Sequence, residues 1–347
     1  MKSVIQRIAT GPTLSKNINF EEAKLAMSSV LKGEIDDVQV AVFLIALRMK
    51  IETQEEVDGV LSAIIECSKV QKIAVDNLVD IGDPYSGYNR SIPISSFLPP
   101  LLAQLGLPTV IHGLDSVSPK YGLTHRHIMQ SLGYEIDLSV SEVAMRIEDE
   151  NIGWGYVDQK QYCQGLHNLV PIRNKIIKRT VINTVETLIA PIRGDKTHLV
   201  LGYVHKPYPP IYAQLAKVSG LDSSLLIRGV EGGVVPSLRQ QGLMISYYDG
   251  IEKNRVDINP SSLGIKQDIR AISFPKNLSI ENDIKSLADE TVKLGKAALS
   301  GEQGVYYDGL VYAASLVLWH TKTVESLDAA ADKVREVLNS GKTLDRL

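Results

Sequence analysis

The stretch Asn77-Leu78-Val79-Asp80-Ile81-Gly82-Asp83-Pro84-Tyr85-Ser86-Gly87-Tyr88-Asn89-Arg90-Ser91 decides how the chain is built. Its first six residues are a short apolar run ending at glycine, and the rest is rich in Gly, Pro, Ser, Asn and Tyr, the composition of a shaped loop. Ser95 and Ser96 then precede the apolar run Phe97 to Leu107. They are expected to cap a helix whose free backbone N–H groups offer a site for an anion. Strand, ligand loop and helix in this order form one unit of an α/β sheet.

The same grammar continues outward. Short β-branched or apolar runs at Val79–Asp83, Thr109–Gly113, Gly155–Val157, His198–His205 and Leu225–Gly229 read as buried, mostly parallel strands. Residues 243–249 and 254–259 flank Asp249-Gly250-Ile251, which reads as an edge hairpin. Upstream of residue 72 only helical signals occur. Asn19 with Glu22 and Thr53 with Glu56 have the spacing of capping boxes, and Gly33 stands where a helix should stop. Between them Val38 to Met49 is apolar on nearly every side, so that helix must be covered all round, within its own domain or by a second subunit. At the C-terminus Leu327, Ala330, Ala331, Val334 and Leu338 keep one apolar face before Gly341. The expected division is a helical domain over 1–72, with 160–180 packing on it, and an α/β domain over 73–159 and 181–347.

With 347 residues, 44% hydrophobic and 22% charged, the chain has ordinary globular composition. A net charge of -3 excludes a wholesale cationic surface, so nucleic acid would need a local basic patch. No apolar run is long enough to span a bilayer, and the N-terminus lacks a signal-like stretch. Two cysteines, Cys67 and Cys163, make neither a disulfide framework nor a zinc spacing. A reduced cytoplasmic setting is the expectation.

Two further clusters carry charge. Pro171-Ile172-Arg173-Asn174-Lys175-Ile176-Ile177-Lys178-Arg179, if helical, sets Lys175, Lys178 and Arg179 on one face and Arg173 on another. The first group is either a solvated face or a patch for nucleic acid. Arg173 either grips a carboxylate or phosphate bidentately or is tied to a structural acid.

The segment Leu31-Lys32-Gly33-Glu34-Ile35-Asp36-Asp37 through Arg48-Met49-Lys50, followed by Glu52-Thr53-Gln54-Glu55-Glu56, closely resembles the opening domain of anthranilate phosphoribosyltransferases. His112-Gly113, Ser118 to Gly122, Pro171-Ile172-Arg173, Arg179-Thr180-Val181-Ile182-Asn183, His198 to Gly202 and Leu299 to Gly304 follow in the family's order. The resemblance runs nearly end to end. It implies the fold of glycosyltransferase family 3 and the related nucleoside phosphorylases: a small helical domain on a large α/β domain, in a homodimer joined through the helical domains.

The family's reagents have changed while its framework has not. The glycine-rich pyrophosphate loop is replaced by Asp83-Pro84-Tyr85-Ser86-Gly87-Tyr88, in which proline removes a backbone donor. The family's Asn-x-Ser-Thr becomes Pro93-Ile94-Ser95-Ser96, and its Lys-His-Gly-Asn becomes Ile111-His112-Gly113-Leu114. Adjacent Asp and Glu that hold magnesium in the family become Val230-Glu231, and valine ligates nothing. This pattern resembles a second, paralogous lineage of the family, some of whose members are thought to bind nucleic acid. No catalytic residue is identified, and no metal site or cofactor is expected, magnesium entering only if transferase activity persists.

The first reading is therefore a binding protein for a phosphate-containing ligand, a nucleotide or single-stranded nucleic acid. Its ligand residues would be Asp83, Tyr85, Gly87, Tyr88, Asn89, Arg90, Ser91, Ser95, Ser96, His112, Gly113, Ser118, Lys120 and Arg173, with His125, Arg126, Lys175, Lys178 and Arg179 as a nucleic-acid patch. Interleaved aromatic, amide and cationic groups suit stacking and backbone contacts. The alternative is an active phosphoribosyl or glycosyl transferase with an unknown acceptor. A third is a pseudoenzyme whose scaffold serves a protein partner.

Overall fold

Local sequence sets the first four helices in a computed structural model that describes residues 1–11 and 13–347. They are α1 (Lys2–Ile8), α2 (Phe20–Leu31), α3 (Asp37–Lys50) and α4 (Gln54–Cys67). Both capping boxes close, Asn19 with Glu22 and Thr53 with Glu56, each pair satisfying two N–H groups left over at the helix start. Asp36 caps α3 by accepting from Val38 and Gln39, each at 3.1 Å. The complete cover expected for α3 is not found among the described residues. Val40, Phe43, Leu44, Ala46 and Leu47 are buried, whereas Val38 and Met49 stay 72% and 74% exposed.

Nine strands follow: β1 (Gln71–Lys72), β2 (Asn77–Gly82), β3 (Thr109–Gly113), β4 (Trp154–Asp158), β5 (Ile192–Arg193), β6 (Lys196–Tyr203), β7 (Ser223–Arg228), β8 (Gly242–Tyr248) and β9 (Ile251–Ile258). Seven of them form one sheet in the order β4-β3-β2-β6-β7-β8-β9. The first five run parallel and the last two antiparallel, so the hairpin read at Asp249-Gly250 lies at the edge as expected. Both turn residues have positive φ, 49° and 72°, as a tight hairpin turn requires. The small parallel pair β1/β5 was not legible, because two residues carry no period.

Both faces of the sheet are covered, which is why its strands read as continuous apolar runs. Alternation still sorts the side chains. Leu78, Leu199, Leu201, Leu226 and Ile245 join one core with α2 to α4 and with Leu166, Leu169 and Ile172. Val79, Ile81, Val200, Leu225 and Ile227 join the other, with Phe97 to Leu107 and the C-terminal helices Val305–His320 and Leu327–Ser340. The terminal helix stops at Gly341 with φ 68°, where glycine was expected to end it. No helix among the described residues is long and apolar enough to cross a membrane.

At the N-terminal end of the sheet a polar chain is sealed in the core. His198 meets Asn77 at 3.0 Å and Ser223 at 2.7 Å; Ser223 reaches His320 at 2.8 Å, and His320 reaches Ser246 at 3.0 Å. Burial pushes the His320 imidazole down to about 3, with like charge from His198 and Lys322 adding to it. In the unfolded chain histidine titrates near pH 6.5. The unfolded state therefore binds the proton that the folded state refuses, and stability falls as pH drops from about 6.5 toward 3. Between pH 6.5 and 5 this one group is expected to remove about 2 kcal/mol, seen in urea unfolding midpoints. His320→Gln should flatten that segment of the curve; an unchanged slope would remove His320 from the account.

Candidate functional site

The C-terminal ends of parallel strands are where an open α/β sheet leaves room for a ligand. Here the ends of β2 and β6 meet α3, and a cleft of about 130 Å³ opens between them. Arg48 from α3, Lys120, Arg179, Tyr203, Tyr208 and Tyr212 contribute to its walls, with Thr180, Asn183 and Thr184 among its polar lining. Tyr208 and Tyr212 stand on the helix Tyr208–Val218 with ring centres 5.3 Å apart and planes at 36°. Arg48 Nη1 donates to the Tyr208 hydroxyl at 3.4 Å. Arg179 is exposed and has no hydrogen-bond or ion-pair partner among the described residues.

Lys120 does point inward. Its ammonium donates to the carbonyls of Gly87 at 3.1 Å and Glu231 at 2.9 Å, and burial draws its pKa down. It forms a wall shared by the cleft and by a shallower depression of about 740 Å³ that Asn89, Arg90, Tyr121, Phe274 and Lys276 line. Asn89 and Arg90 are exposed there, whereas Ser91 donates to Glu231 at 2.8 Å.

The loop between β2 and Ser95 is sewn down instead of open. Gly87 turns it with φ 72°, and a Cβ there would sit 2.7 Å from the Gly122 backbone. Tyr88 and Leu123 exchange backbone hydrogen bonds across this contact, at 2.9 and 2.7 Å. Glu231, itself at φ 56°, accepts from the N–H groups of Asn89 and Arg90, each at 3.1 Å. That left-handed backbone is held by the loop it ties.

Ser95 and Ser96 correct the expectation of an open anion site. They lie inside the 3-10 turn Ile94–Phe97 that precedes the helix Leu98–Gln104, they cap nothing, and both are fully buried. Their hydroxyls turn to partners within the chain. Ser96 meets His125 at 2.8 Å. The Asp83 carboxylate accepts from Ser95, from Tyr88 at 2.9 Å, from His125 at 3.0 Å and from the Val234 N–H at 2.9 Å. Burial alone would raise the Asp83 carboxyl, but His125, Ser95 and Tyr88 outweigh it and hold it below the usual value. The protein supplies its own anion to this cradle.

Tyr85 is buried likewise. Its hydroxyl lies 2.5 Å from His112 Nδ1 and 2.5 Å from the Tyr162 hydroxyl, and His112 Nε2 lies 2.9 Å from Asp80. Burial, reinforced by Tyr162, pushes the Tyr85 phenol well above its ordinary value, so it stays protonated. With Leu114, Val117 and Val170 its ring forms a small separate apolar cluster beside the cleft. His112 and Gly113, on β3, are buried behind it.

Arg173 also departs from the ligand reading. Its guanidinium, 1% exposed, is held by Glu186 through two bonds of 2.8 Å, the structural-acid alternative. Ser118 donates to the Arg173 carbonyl at 2.7 Å and so anchors that helix instead of facing the cleft. The nucleic-acid patch does not assemble. His125 is internal, and Arg126 is spent on Asp158 at 2.8 Å and Asp137 at 3.2 Å. The helix Val170–Ile176 ends before Lys178, with Ile177 left-handed at φ 62°, so Lys175, Lys178 and Arg179 share no helical face.

Sequence reasoning missed Arg48, Tyr203, Tyr208 and Tyr212. Tyr203 closes a strand and the other two tyrosines follow within ten residues, a position at the C-terminal end of β6 that signals a site by topology. Among the described residues no group of three His, Cys, Asp or Glu is placed to hold a metal ion.

Comparison with known proteins agrees with this architecture. A model described as the glycosyl transferase family, helical bundle domain, matches residues 2–68, and one described as its a/b domain matches 82–344. The chain belongs to the glycosyl transferase family. Within it, an uncharacterized protein of Aquifex aeolicus is 29% identical over 92% of this chain and 93% of its own. The anthranilate phosphoribosyltransferase of Methanopyrus kandleri is 27% identical over 99% and 97%. In fold, the anthranilate phosphoribosyltransferase of Saccharomyces cerevisiae bound to 4-fluoroanthranilate superposes with a TM-score of 0.80 at 17% identity, covering 99% of this chain and 94% of that one. The Thermus thermophilus enzyme does so at 0.74 and 20% identity, over 99% and 96%. This glycosyl transferase family member thus keeps both domains of the scaffold.

Proposed function

We propose that this protein binds a phosphate-containing ligand, a nucleotide or a single-stranded nucleic acid, in the cleft between α3 and the sheet, and does not transfer phosphoribosyl groups to anthranilate. The observation that carries this reading is the division of charge. The helix-start cradle is filled by Asp83 and Arg173 is neutralised by Glu186, while Arg48, Lys120 and Arg179 face the cleft beside the tilted pair Tyr208 and Tyr212. Phosphate oxygens would lie against the cations and a base against a tyrosine ring. Magnesium has poor ligands here: Val230 offers none, and three donors already occupy the Glu231 carboxylate. Without a metal to hold a departing pyrophosphate, transfer loses its main electrostatic support.

Titration calorimetry with a nucleotide, a labelled single strand and phosphoribosyl pyrophosphate, each with and without magnesium, tests the reading. Affinity should fall with salt, be indifferent to magnesium, and drop about 10–100-fold in Arg179→Glu, the size of one charge-assisted contact. Magnesium-dependent binding of phosphoribosyl pyrophosphate, with product formed from anthranilate, would overturn it in favour of an active transferase. Association through the helical domains is part of the same proposal, supported by the exposed Leu25, Val38 and Met49. Sedimentation should then give a dimer that Val38→Glu/Met49→Glu converts to monomer.

A further inference from the structure

Outside the cleft, the chain's two cysteines, Cys67 and Cys163, come together although 95 residues of sequence lie between them. Cys67 is the last residue of α4, and Cys163 precedes the short helix Gln164–His167. The two segments run side by side. Lys69 donates its N–H to the Tyr162 carbonyl at 2.7 Å, and a Cβ at Gly165 would lie 3.4 Å from Cys67 Sγ. The Cys67 sulfur thus lies against the backbone two residues beyond Cys163. One thiol is exposed and the other buried. No third soft or nitrogen ligand joins them among the described residues, so thiol chemistry and not metal binding is what this pair can perform.

We propose that Cys67 and Cys163 form a redox-responsive dithiol that closes reversibly to a disulfide and ties α4 to the 159–167 crossing. With oxidised glutathione as oxidant, the Cys67 thiolate attacks one sulfur, forming a mixed disulfide and releasing one reduced glutathione. Cys163, after giving its proton to solvent, attacks the Cys67 sulfur, forms the internal bond and expels the second glutathione. Two protein thiols are oxidised and one glutathione disulfide is reduced. Burial pushes the Cys163 thiol up to about 11, so Cys67 meets the oxidant and closure by Cys163 quickens with pH. The crossing carries Tyr162, whose hydroxyl holds Tyr85 at the cleft wall, so the bond also stiffens that wall.

The full-length protein is incubated with oxidised glutathione at pH 7 and pH 9, and its intact mass, its protease-released peptides and its hydrogen exchange are recorded. Wild type should lose two hydrogens in mass, faster at pH 9, yield one linked peptide pair containing Cys67 and Cys163, slow exchange over 159–167, and revert with dithiothreitol. Cys163→Ser should stop at one added glutathione on Cys67. Wild type that also stops at the glutathione adduct, or that keeps two free thiols, overturns the proposal. These readouts do not depend on what the cleft binds.

Discussion

Arg173→Ala is expected to lower the unfolding free energy by about 3–5 kcal/mol, the cost of stranding one member of a buried ion pair. Glu186 would keep its charge with only Gln159, at 3.5 Å, left to donate a side-chain hydrogen bond. The double variant Arg173→Met/Glu186→Leu removes both charges and should recover most of the loss, since apolar replacement of a whole buried pair is often neutral. Urea unfolding of the three proteins checks this. An arginine that served the ligand would behave otherwise: its alanine variant would keep wild-type stability and lose binding, and that outcome would return Arg173 to the site.

Asp83→Ala is expected to have a comparable effect for a different reason. The carboxylate gathers Ser95, Tyr88, His125 and the Val234 N–H around one point, and its removal leaves four buried donors without an acceptor. A loss of about 3–5 kcal/mol follows from the unpaired groups. The emptied cradle should then accept an external anion. Phosphate at 100 times its dissociation constant would restore about 2.7 kcal/mol to the variant and leave the wild type unmoved. Thermal unfolding in a phosphate series reads both effects. A variant as stable as the wild type would mean that this network does not organise the loop.

Both results turn on what could be read in the chain beforehand. The capping pairs Asn19–Glu22 and Thr53–Glu56, the strand Thr109–Gly113 and the Asp249-Gly250 turn were legible because each is a local rule: one cap, one period, one turn. Strand ends elsewhere shifted by one to three residues, since edges depend on neighbouring ladders and not on composition. Lys120, Asn89 and Arg90 were legible as loop groups, and they do line a depression of the surface, because they belong to polar loops beyond a strand. Arg173 was chosen on residue type and on the family motif Pro171-Ile172-Arg173, and His125 and Arg126 on residue type; neither ground says anything about a partner, and their acids stand 13, 42 and 32 positions away in sequence.

Sequence by itself therefore determined the helical opening, the parallel sheet and the family scaffold, all of which are matters of residue type and short period. Tertiary structure alone decided which charges remain available. Pairing energy depends on distance and burial, and these arise only when β2, the 3-10 turn at Ile94–Phe97 and the helix at His125 converge on one carboxylate. For the same reason the cleft belongs to Arg48, Lys120 and Arg179, which come from three distant parts of the chain and meet in no sequence window.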